Sequence, residues 1–568
     1  MLAGMRIILT TLHSKFIHPS LALPCLASYC AADGHELLIR EFTIHEPKET
    51  ILAALLAEAP EVIAFSVYLW NRNETLALVD LLTTVQPGLR IVVGGPEVSF
   101  DGAELLAAHP GLSALVRGEG ELPVRGLLQA WASNVEPLAV PRLTWRRGAE
   151  IIENADGPLL DDLDRIPSPF AADLVDLSRG FVYYESSRGC PYRCSFCMSA
   201  RDNNVRSFSL QRIKADLGLL LEQQVPRIKF VDRTFNYDPV RTRELFSFIL
   251  QNNRSSHLHF EIGAHLLDDA TITLLETVPP DTFQFEIGVQ STLPETLRQI
   301  DRHVALDRLL SNISKLRQRT RIHLHLDLIA GLPGESGEDV LASIDTLMAL
   351  RPHHLQIEPV KVLPGAPLRD DAATLGLRFD PHPPYTIVGN NQVSFAELER
   401  LRGVGRLLDL TWNSDRLQGF LTRLAVAQGH WSTALSGLAD HLQKQGAFRH
   451  PLSQTGLFQA IEPYIGGLPE DRQGLLREAL AYDYALCERV LPGSASDWFD
   501  TEFSRTESDA VEAAVSDKRE LLAGQGVKIQ HFAAAFSHLE PGTRQVLVFF
   551  YLTRSGQARQ TEVEILTC

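Results

Sequence analysis

The stretch Ser187-Arg-Gly-Cys-Pro-Tyr-Arg-Cys-Ser-Phe-Cys-Met198 places Cys190, Cys194 and Cys197 at C-x3-C-x2-C spacing, with Phe196 just before the last cysteine. Three thiolates on one short loop can hold three irons of a [4Fe–4S] cube and leave the fourth iron open to a substrate or cofactor. A zinc knuckle, or reduced cysteines in a core, would use the same residues. Structural zinc takes a closed set of four ligands. The remaining cysteines, Cys25, Cys30, Cys487 and Cys568, lie far off in sequence.

Outward from this loop, residues 181–369 read as six strand–helix repeats. Strands are expected near residues 182–185, 227–231, 258–263, 282–289, 322–330 and 354–360, with helices such as 210–222, 240–251 and 338–350 between them. Six such units imply a partial (β/α)6 TIM-like barrel, open on one side, with its chemistry at the carboxyl ends of the strands. The cysteine loop follows the first strand. Glu261 and Glu286 sit inside apolar strands, where a carboxylate is costly unless it is paired or faces a polar cavity. They point to a polar lumen. His323, His325 and Asp327 alternate along the fifth strand and put its polar residues on one face; structural hydrogen bonding would also explain them.

Upstream, apolar runs at residues 6–11, 36–42, 62–67, 90–93 and 114–116 alternate with helical patterns at 19–32, 48–58 and 74–85. Continuous apolar runs mark strands buried on both faces, so this region is a flavodoxin-like, doubly wound parallel sheet. Ligands of such sheets sit beyond the carboxyl ends of the strands. That rim comprises residues 10–13, 66–71, 94–99 and 117–121. The expected organisation is an N-terminal domain over 1–135 and a connector over 136–180, with a hairpin near Trp145 and an extended Pro-rich strap. The barrel follows over 181–375 and a mainly helical domain over 376–568, with a small sheet from residues 527–532 and 545–552. Trp412, Trp431 and Trp498 read as core residues of that last domain, in which no catalytic motif is legible.

The chain has 568 residues, 45% of them hydrophobic and 22% charged, with a formal net charge of −17. That balance opposes nucleic-acid binding, which draws its affinity from basic phosphate contacts. No apolar run is long enough to span a bilayer. Seven cysteines without a secretion signal fit a reducing compartment, the cytoplasm.

The cysteine loop and its place after the first strand resemble the radical S-adenosylmethionine (SAM) superfamily. The resemblance implies that the amino and carboxylate groups of SAM chelate the open iron, and that electron transfer yields a 5′-deoxyadenosyl radical. It implies that Phe196 packs by the cluster and adenine. Asp232, in Phe230-Val-Asp-Arg-Thr-Phe-Asn236, would accept from the methionine ammonium, or else cap the following turn. Glu261, Glu286, Gln290 and Ser291 would contact ribose and methionine. Ala330-Gly-Leu-Pro-Gly-Glu335 resembles the adenine-contacting loop, with Ile329 and Leu332 supplying apolar packing.

Pro19-Ser-Leu-Ala-Leu-Pro24, Gly34-His-Glu-Leu37, Gly94-Gly-Pro-Glu97 and Arg117-Gly-Glu-Gly-Glu121 resemble the cobalamin-binding domain that precedes this core in one subgroup. The implied contacts are Thr11, His13, Ser66, Gly94, Gly95, Pro96, Glu97 and Glu119. Corrinoid proteins that ligate cobalt from below use D-x-H-x-x-G. Here Asp33-Gly-His35 lacks the glycine, so cobalamin is expected without a protein histidine on cobalt, and His35 reads as a turn residue. The C-terminal part resembles an uncharacterised extension of some such proteins.

Together these resemblances imply a cobalamin-dependent enzyme that methylates an unactivated carbon or phosphorus of a small-molecule or peptide substrate through methylcobalamin. A reducing partner such as flavodoxin or ferredoxin would supply electrons. Rearrangement or cyclisation with the same cofactors, and a non-catalytic corrinoid and iron–sulfur sensor, stay open. The acidic balance disfavours a tRNA methylthiotransferase. No catalytic side chain is singled out.

Overall fold

The computed structural model describes residues 4–201, 204–491, 497–540, 542–556 and 558–566. Cys568 lies outside them. The chain divides into two compact units, Met1–Glu335 with Pro359–Ser394, and Ser336–Glu358 with Phe395–Cys568.

The first unit opens with strands β1 (Arg6–His13), β2 (Glu36–Thr43), β3 (Val62–Ser66), β4 (Arg90–Gly94) and β5 (Leu112–Val116). Helices α1 (Ala22–Cys30), α2 (Lys48–Ala57), α3 (Arg72–Val85) and α4 (Gly102–Ala108) connect them, and α5 (Glu121–Ala132) follows. The strands run parallel in the order β2-β1-β3-β4-β5. Seven of the eight β1 residues are buried. Ile8, Leu12, Ile63, Phe65, Ile91 and Val93 form a core with Leu78, Val79 and Leu82 of α3. The order reverses between β1 and β3, which opens the crevice where ligands of doubly wound sheets bind.

The hairpin anticipated near Trp145 is β6 (Leu143–Arg147) and β7 (Glu150–Glu153). It extends the sheet antiparallel beyond β5 rather than standing apart in the connector. The strap that follows has only short helical turns. Ser168 donates to Asp216 at 2.6 Å, and Arg212 donates to the Ile166 carbonyl at 2.7 Å, which pins the strap to the barrel.

The barrel strands of the first unit are β8 (Phe181–Tyr184), β11 (Arg227–Phe230), β12 (His257–Glu261), β13 (Phe283–Gln290) and β14 (His323–Ala330), with a two-stranded ribbon of β9 (Ser187–Arg188) and β10 (Arg206–Ser207) beside the cysteine loop. They pair in parallel as β8-β11-β12-β13-β14. Helices α6 (Leu210–Glu222), α7 (Pro239–Asn252), α8 (Asp269–Leu275), α9 (Pro294–Gln299) and α10 (Leu306–Arg319) intervene.

Register separates two chemistries. Lys229, His259, Gln284 and His323 line up across the strands, as do Glu261, Glu286 and His325. The alternate positions are apolar. Phe230, Phe260, Phe283 and Phe285 stack there with Phe235 and with Phe246 of α7, ring centroids 4.6–6.3 Å apart. Strand period two thus gives the sheet one apolar face toward its helices and one charged face toward the lumen.

The sixth helix and strand of the series, α11 (Gly337–Ala349) and β15 (His354–Pro359), fall almost wholly in the second unit; α12 (Pro367–Asp370) and the pair β16 (Arg378–Phe379) and β17 (Ile387–Gly389) return to the first. The second unit adds helices α13 (Phe395–Leu410), α14 (Gln418–Gln428), α15 (Trp431–Lys444), α16 (Gln454–Gly466), α17 (Glu470–Cys487) and α18 (Arg505–Leu521). Its small sheet has three antiparallel strands, β18 (Val527–Phe536), β19 (Gln545–Arg554) and β20 (Gln560–Leu566). Trp412 is buried, meets Trp431 edge-on and donates to the Pro352 carbonyl at 2.9 Å. Among the described residues no helix is long and apolar enough to cross a membrane.

Candidate active site

The three cysteines of the loop after β9 open onto one cavity of about 220 Å³. The loop is pinned at both faces: Ser195 N–H donates to the Ile300 carbonyl at 2.9 Å, and Leu368 N–H donates to the Ser195 carbonyl at 2.8 Å. Phe196, Arg233, Thr234, Glu261, Glu286, Gln290 and Asp327 line the same space, with Tyr192, His265 and Arg302. The thiols can therefore grip one polynuclear group between them and present its far side to carboxylates. Among the described residues no three His, Cys, Asp or Glu side chains are placed to hold a single metal ion. Three thiolates on one loop are the donor set of a cluster with one iron left open, where structural zinc takes a closed set of four.

Sulfur contacts come from outside the loop. Thr234 Oγ1 lies 3.6 Å from Cys190 Sγ, and Arg302 Nη1 donates to Cys194 Sγ at 3.5 Å. Burial raises the Cys194 thiol pKa, and the Arg302 guanidinium opposes that rise. Arg302 also donates to the Gly288 carbonyl, tying the loop to β13. Tyr192 and His265 meet at 2.6 Å. Burial, helped by Arg302 and Arg308, pushes His265 down to about 4, so its neutral ring can accept the Tyr192 proton.

The strand carboxylates differ sharply. Burial raises Glu286, but His259 at 2.8 Å and Lys229 at 3.2 Å outweigh it and hold it down to about 2. Glu261, paired in register with Glu286, is pushed up to about 7 by burial and then by that neighbour's charge. Burial also raises Asp327. Glu261 ionises only at a cost above its ordinary range. Its raised value makes the cofactor-free protein less stable as pH climbs from about 4.5 through 7. Glu261→Gln is expected to stabilise the protein by roughly 2 kcal/mol at pH 8, discounted for partial exposure, and by nothing at pH 4. Denaturant titrations at the two pH values check this.

Gln290 reaches the cavity because β13 bulges. The pairing with β14 shifts between Gly288 and Gln290, and Gln290 takes a φ of +72°. Bulges re-aim side chains at sites of this kind. Its buried Oε1 has no protein donor.

Four expected SAM contacts are not among the residues that line the cavity. Asp232 is fully buried and accepts from the Ser186 N–H and from the Ser186 and Ser187 hydroxyls, so it ties the ends of β8 and β11 together. Arg233 and Thr234, next in sequence, line the cavity instead. Ser291 is buried and donates to Glu335 at 2.5 Å. Leu332 is fully buried under backbone held by Asn390. Ile329 is not among the lining residues.

On the other rim, Trp70 Nε1 donates to the Leu12 carbonyl, and its ring stacks on Tyr68 at 4.6 Å. Trp70 and Phe100 stay exposed there. Gly94, Gly95 and Pro96 form a tight turn at the end of β4, where the Gly94 carbonyl accepts from Val67 N–H at 2.7 Å and the Gly95 carbonyl from Ser99 Oγ at 2.8 Å. Gly95 has φ +113°, and a Cβ on it would lie 2.5 Å from the Val67 carbonyl oxygen. Gly95→Ala is expected to cost about 2–3 kcal/mol through that clash and the strained dihedral, read as a lower midpoint in chemical denaturation.

The polar residues expected to touch a corrinoid each have a protein partner as well. Thr11 donates to the Ser66 carbonyl at 2.8 Å, His13 lies 3.1 Å from Glu41, and Glu97 accepts from Tyr385. Glu119 pairs with Arg188 and Arg206. His35 Nδ1 accepts from Met5 N–H at 3.3 Å beside the Gly34 turn.

Three family models match successive stretches of the chain. Residues 7–128 match the B12 binding domain, residues 184–347 the radical SAM superfamily, and residues 373–535 a protein of unknown function, DUF4080. The chain joins a B12-binding domain to a radical SAM domain. It is 26% identical over 457 residues to 2-(S-pantetheinyl)-carbapenam-3-carboxylate methyltransferase of Streptantibioticus cattleyicolor, over 75% of this chain and 65% of that one. It is 27% identical to the cobalamin-dependent radical SAM methyltransferase TokK of Streptomyces tokunonensis, with 75% and 65% covered. The chain thus spans just under two thirds of the length of these relatives. Among solved structures, the radical SAM methyltransferase TsrM of Kitasatospora setae, with cobalamin and a [4Fe–4S] cluster bound, matches with a TM-score of 0.57 at 18% identity, covering 67% of this chain and 78% of that one. The thiol cavity lies in the radical SAM domain, and the Gly94–Pro96 rim in the B12-binding domain.

Proposed function

We propose that this chain is a cobalamin-dependent radical SAM methyltransferase acting on an unactivated carbon or phosphorus of a small molecule or peptide. The observation that carries the reading is the single cavity that joins three thiols of one loop to the strand carboxylates. Cys190, Cys194 and Cys197 would hold a [4Fe–4S] cluster, and the rim that carries the Gly94–Pro96 turn would receive a corrinoid. When bound, cluster and SAM supply a 5′-deoxyadenosyl radical, and the corrinoid supplies a transferable methyl group.

The protein's own part is to bind and orient. Glu286, ionised across the working pH range, and Asp327 give the cavity acceptors for ammonium and hydroxyl groups. Gln290 offers an unpaired acceptor, and Phe196 offers an apolar face. The aromatic layer behind the strands keeps water from the other side of the sheet. A flavodoxin- or ferredoxin-like protein would deliver electrons, and the cytoplasm, a reducing compartment, would protect the thiols.

The test is anaerobic reconstitution with iron, sulfide and hydroxocobalamin, followed by methyl-labelled SAM and reductant. S-adenosylhomocysteine and 5′-deoxyadenosine are both expected, with label entering the product. A protein that retains no corrinoid loses the methyl-carrier role. Label absent from product would favour rearrangement or cyclisation.

A further inference from the structure

We propose that Glu119 and Glu121 act as positioning residues, through an arginine clamp that holds the B12-binding domain in fixed register against the cysteine loop. Arg188 stands two residues before Cys190. Its guanidinium reaches Glu119 at 3.1 Å, Glu121 at 2.6 Å and Glu185 at 2.8 Å. Arg206, on the ribbon strand paired with Arg188, also binds Glu119 and donates to the Leu160 carbonyl at 2.8 Å. The side chains of Arg188, Arg206 and Glu121 are 12%, 11% and 7% exposed, so solvent screens these pairs little.

Each residue of Arg117-Gly-Glu-Gly-Glu121 serves this arrangement. Arg117 donates to Thr144 and to the Asn154 carbonyl, both at 2.6 Å, and so braces the motif on the β6–β7 hairpin. Gly118 turns the chain at φ +74°. A Cβ on Gly120 would sit 3.1 Å from Leu26, so the loop packs close to α1. Glu121 opens α5. The carboxylates are thereby set on the rigid end of the N-terminal sheet, while the arginines flank the loop that carries the thiols. Two bidentate-capable guanidiniums facing three carboxylates fix orientation as well as distance.

A step that passes a group between two cofactors is sensitive to displacements of about an ångström. The clamp places its charge where a shift of either domain would be felt at Cys190. Its consequence for the reaction rests on the cobalamin-dependent reading above; the mechanical coupling does not.

The experiment compares the full-length chain with Glu119→Gln, Arg206→Gln and the double variant. In the cofactor-free proteins, amide exchange across residues 186–190 and 206–208 is expected to quicken at least tenfold in either single variant. The double variant should exchange no faster than the singles, while β3 and β13 keep wild-type protection. Exchange at wild-type rates in the single variants overturns the clamp. In reconstituted protein, the dipolar coupling between paramagnetic cobalt and the reduced cluster should broaden in Glu119→Gln with corrinoid content unchanged. Loss of corrinoid in that variant would instead make Glu119 a cofactor contact and overturn the proposal. A wild-type chain that binds no corrinoid removes the function proposed above and leaves the exchange result to decide the clamp.

Discussion

Replacing Cys194 with alanine is expected to remove the iron–sulfur chromophore and all SAM cleavage. Cys194 is the most buried of the three thiols and the one Arg302 faces. With two thiolates left, a cube would have two irons without protein ligands, and the guanidinium would lose its sulfur partner. Iron should fall from about four atoms per reconstituted chain to near zero. Folding should survive, because the loop is held by backbone bonds from Ser195 to Ile300 and Leu368 that do not use the sulfur. Circular dichroism and iron analysis of the same sample separate the two effects. A variant that keeps its brown colour and its activity would show that Cys194 is not a ligand.

The second large effect belongs to Glu286. Glu286→Ala leaves Lys229 without its counter-ion inside the sheet lumen, beside a His259 that burial keeps toward its neutral form, and is expected to cost about 2–3 kcal/mol. Lys229→Met in the same chain should recover most of that loss, since removing both charges leaves nothing unpaired. The sign with pH is fixed by the depressed value. Glu286 titrates near 2 in the folded chain against an ordinary 4.5, so its contribution is complete above about 4.5 and fades as pH falls toward 2. Wild type should lose roughly 2–3 kcal/mol over that interval beyond what Glu286→Gln loses. Equal acid sensitivity of the two proteins would refute the pairing. Glu261 works in the opposite direction over a separate interval, 4.5 to 7, so the two carboxylates can be told apart in one pH series.

Much of this arrangement was legible in the residues. The cysteine spacing located the loop, and the carboxylates Glu261 and Glu286 inside apolar strands, with His323, His325 and Asp327 alternating along the fifth strand, pointed to a polar lumen. The parallel order of the N-terminal strands followed from their unbroken apolar runs. What stayed hidden depends on distance in sequence or on parity at a strand end. Arg302 reaches Cys194 across 108 positions, and nothing in Asp301-Arg-His303 announces it. Tyr192 and His265 meet from separate loops. Asp232 and Arg233 are neighbours at the end of β11, where a one-residue offset decides which side chain enters the cavity.

The rim of the B12-binding domain shows the same limit. The motif ending in Glu121 was placed on the correct edge, yet its partners Arg188 and Arg206 lie 67 to 87 residues away. Thr11, His13 and Glu97 are polar residues at strand ends, and sequence alone does not reveal that each has an internal partner. In the second unit, β20 escaped notice because its Gln-Thr-Glu-Val-Glu-Ile-Leu566 is a half-exposed edge strand with little apolar signal.

The most direct trial is electron–nuclear double resonance on the dithionite-reduced, anaerobically reconstituted protein, recorded with SAM carrying 15N in its methionine amino group. Hyperfine coupling from that nitrogen to a [4Fe–4S]+ cluster is expected, and it should vanish on omitting SAM. A cluster signal indifferent to the labelled donor, or protein that takes up zinc in place of iron, would contradict three thiolates holding a cube with one corner open to the cavity.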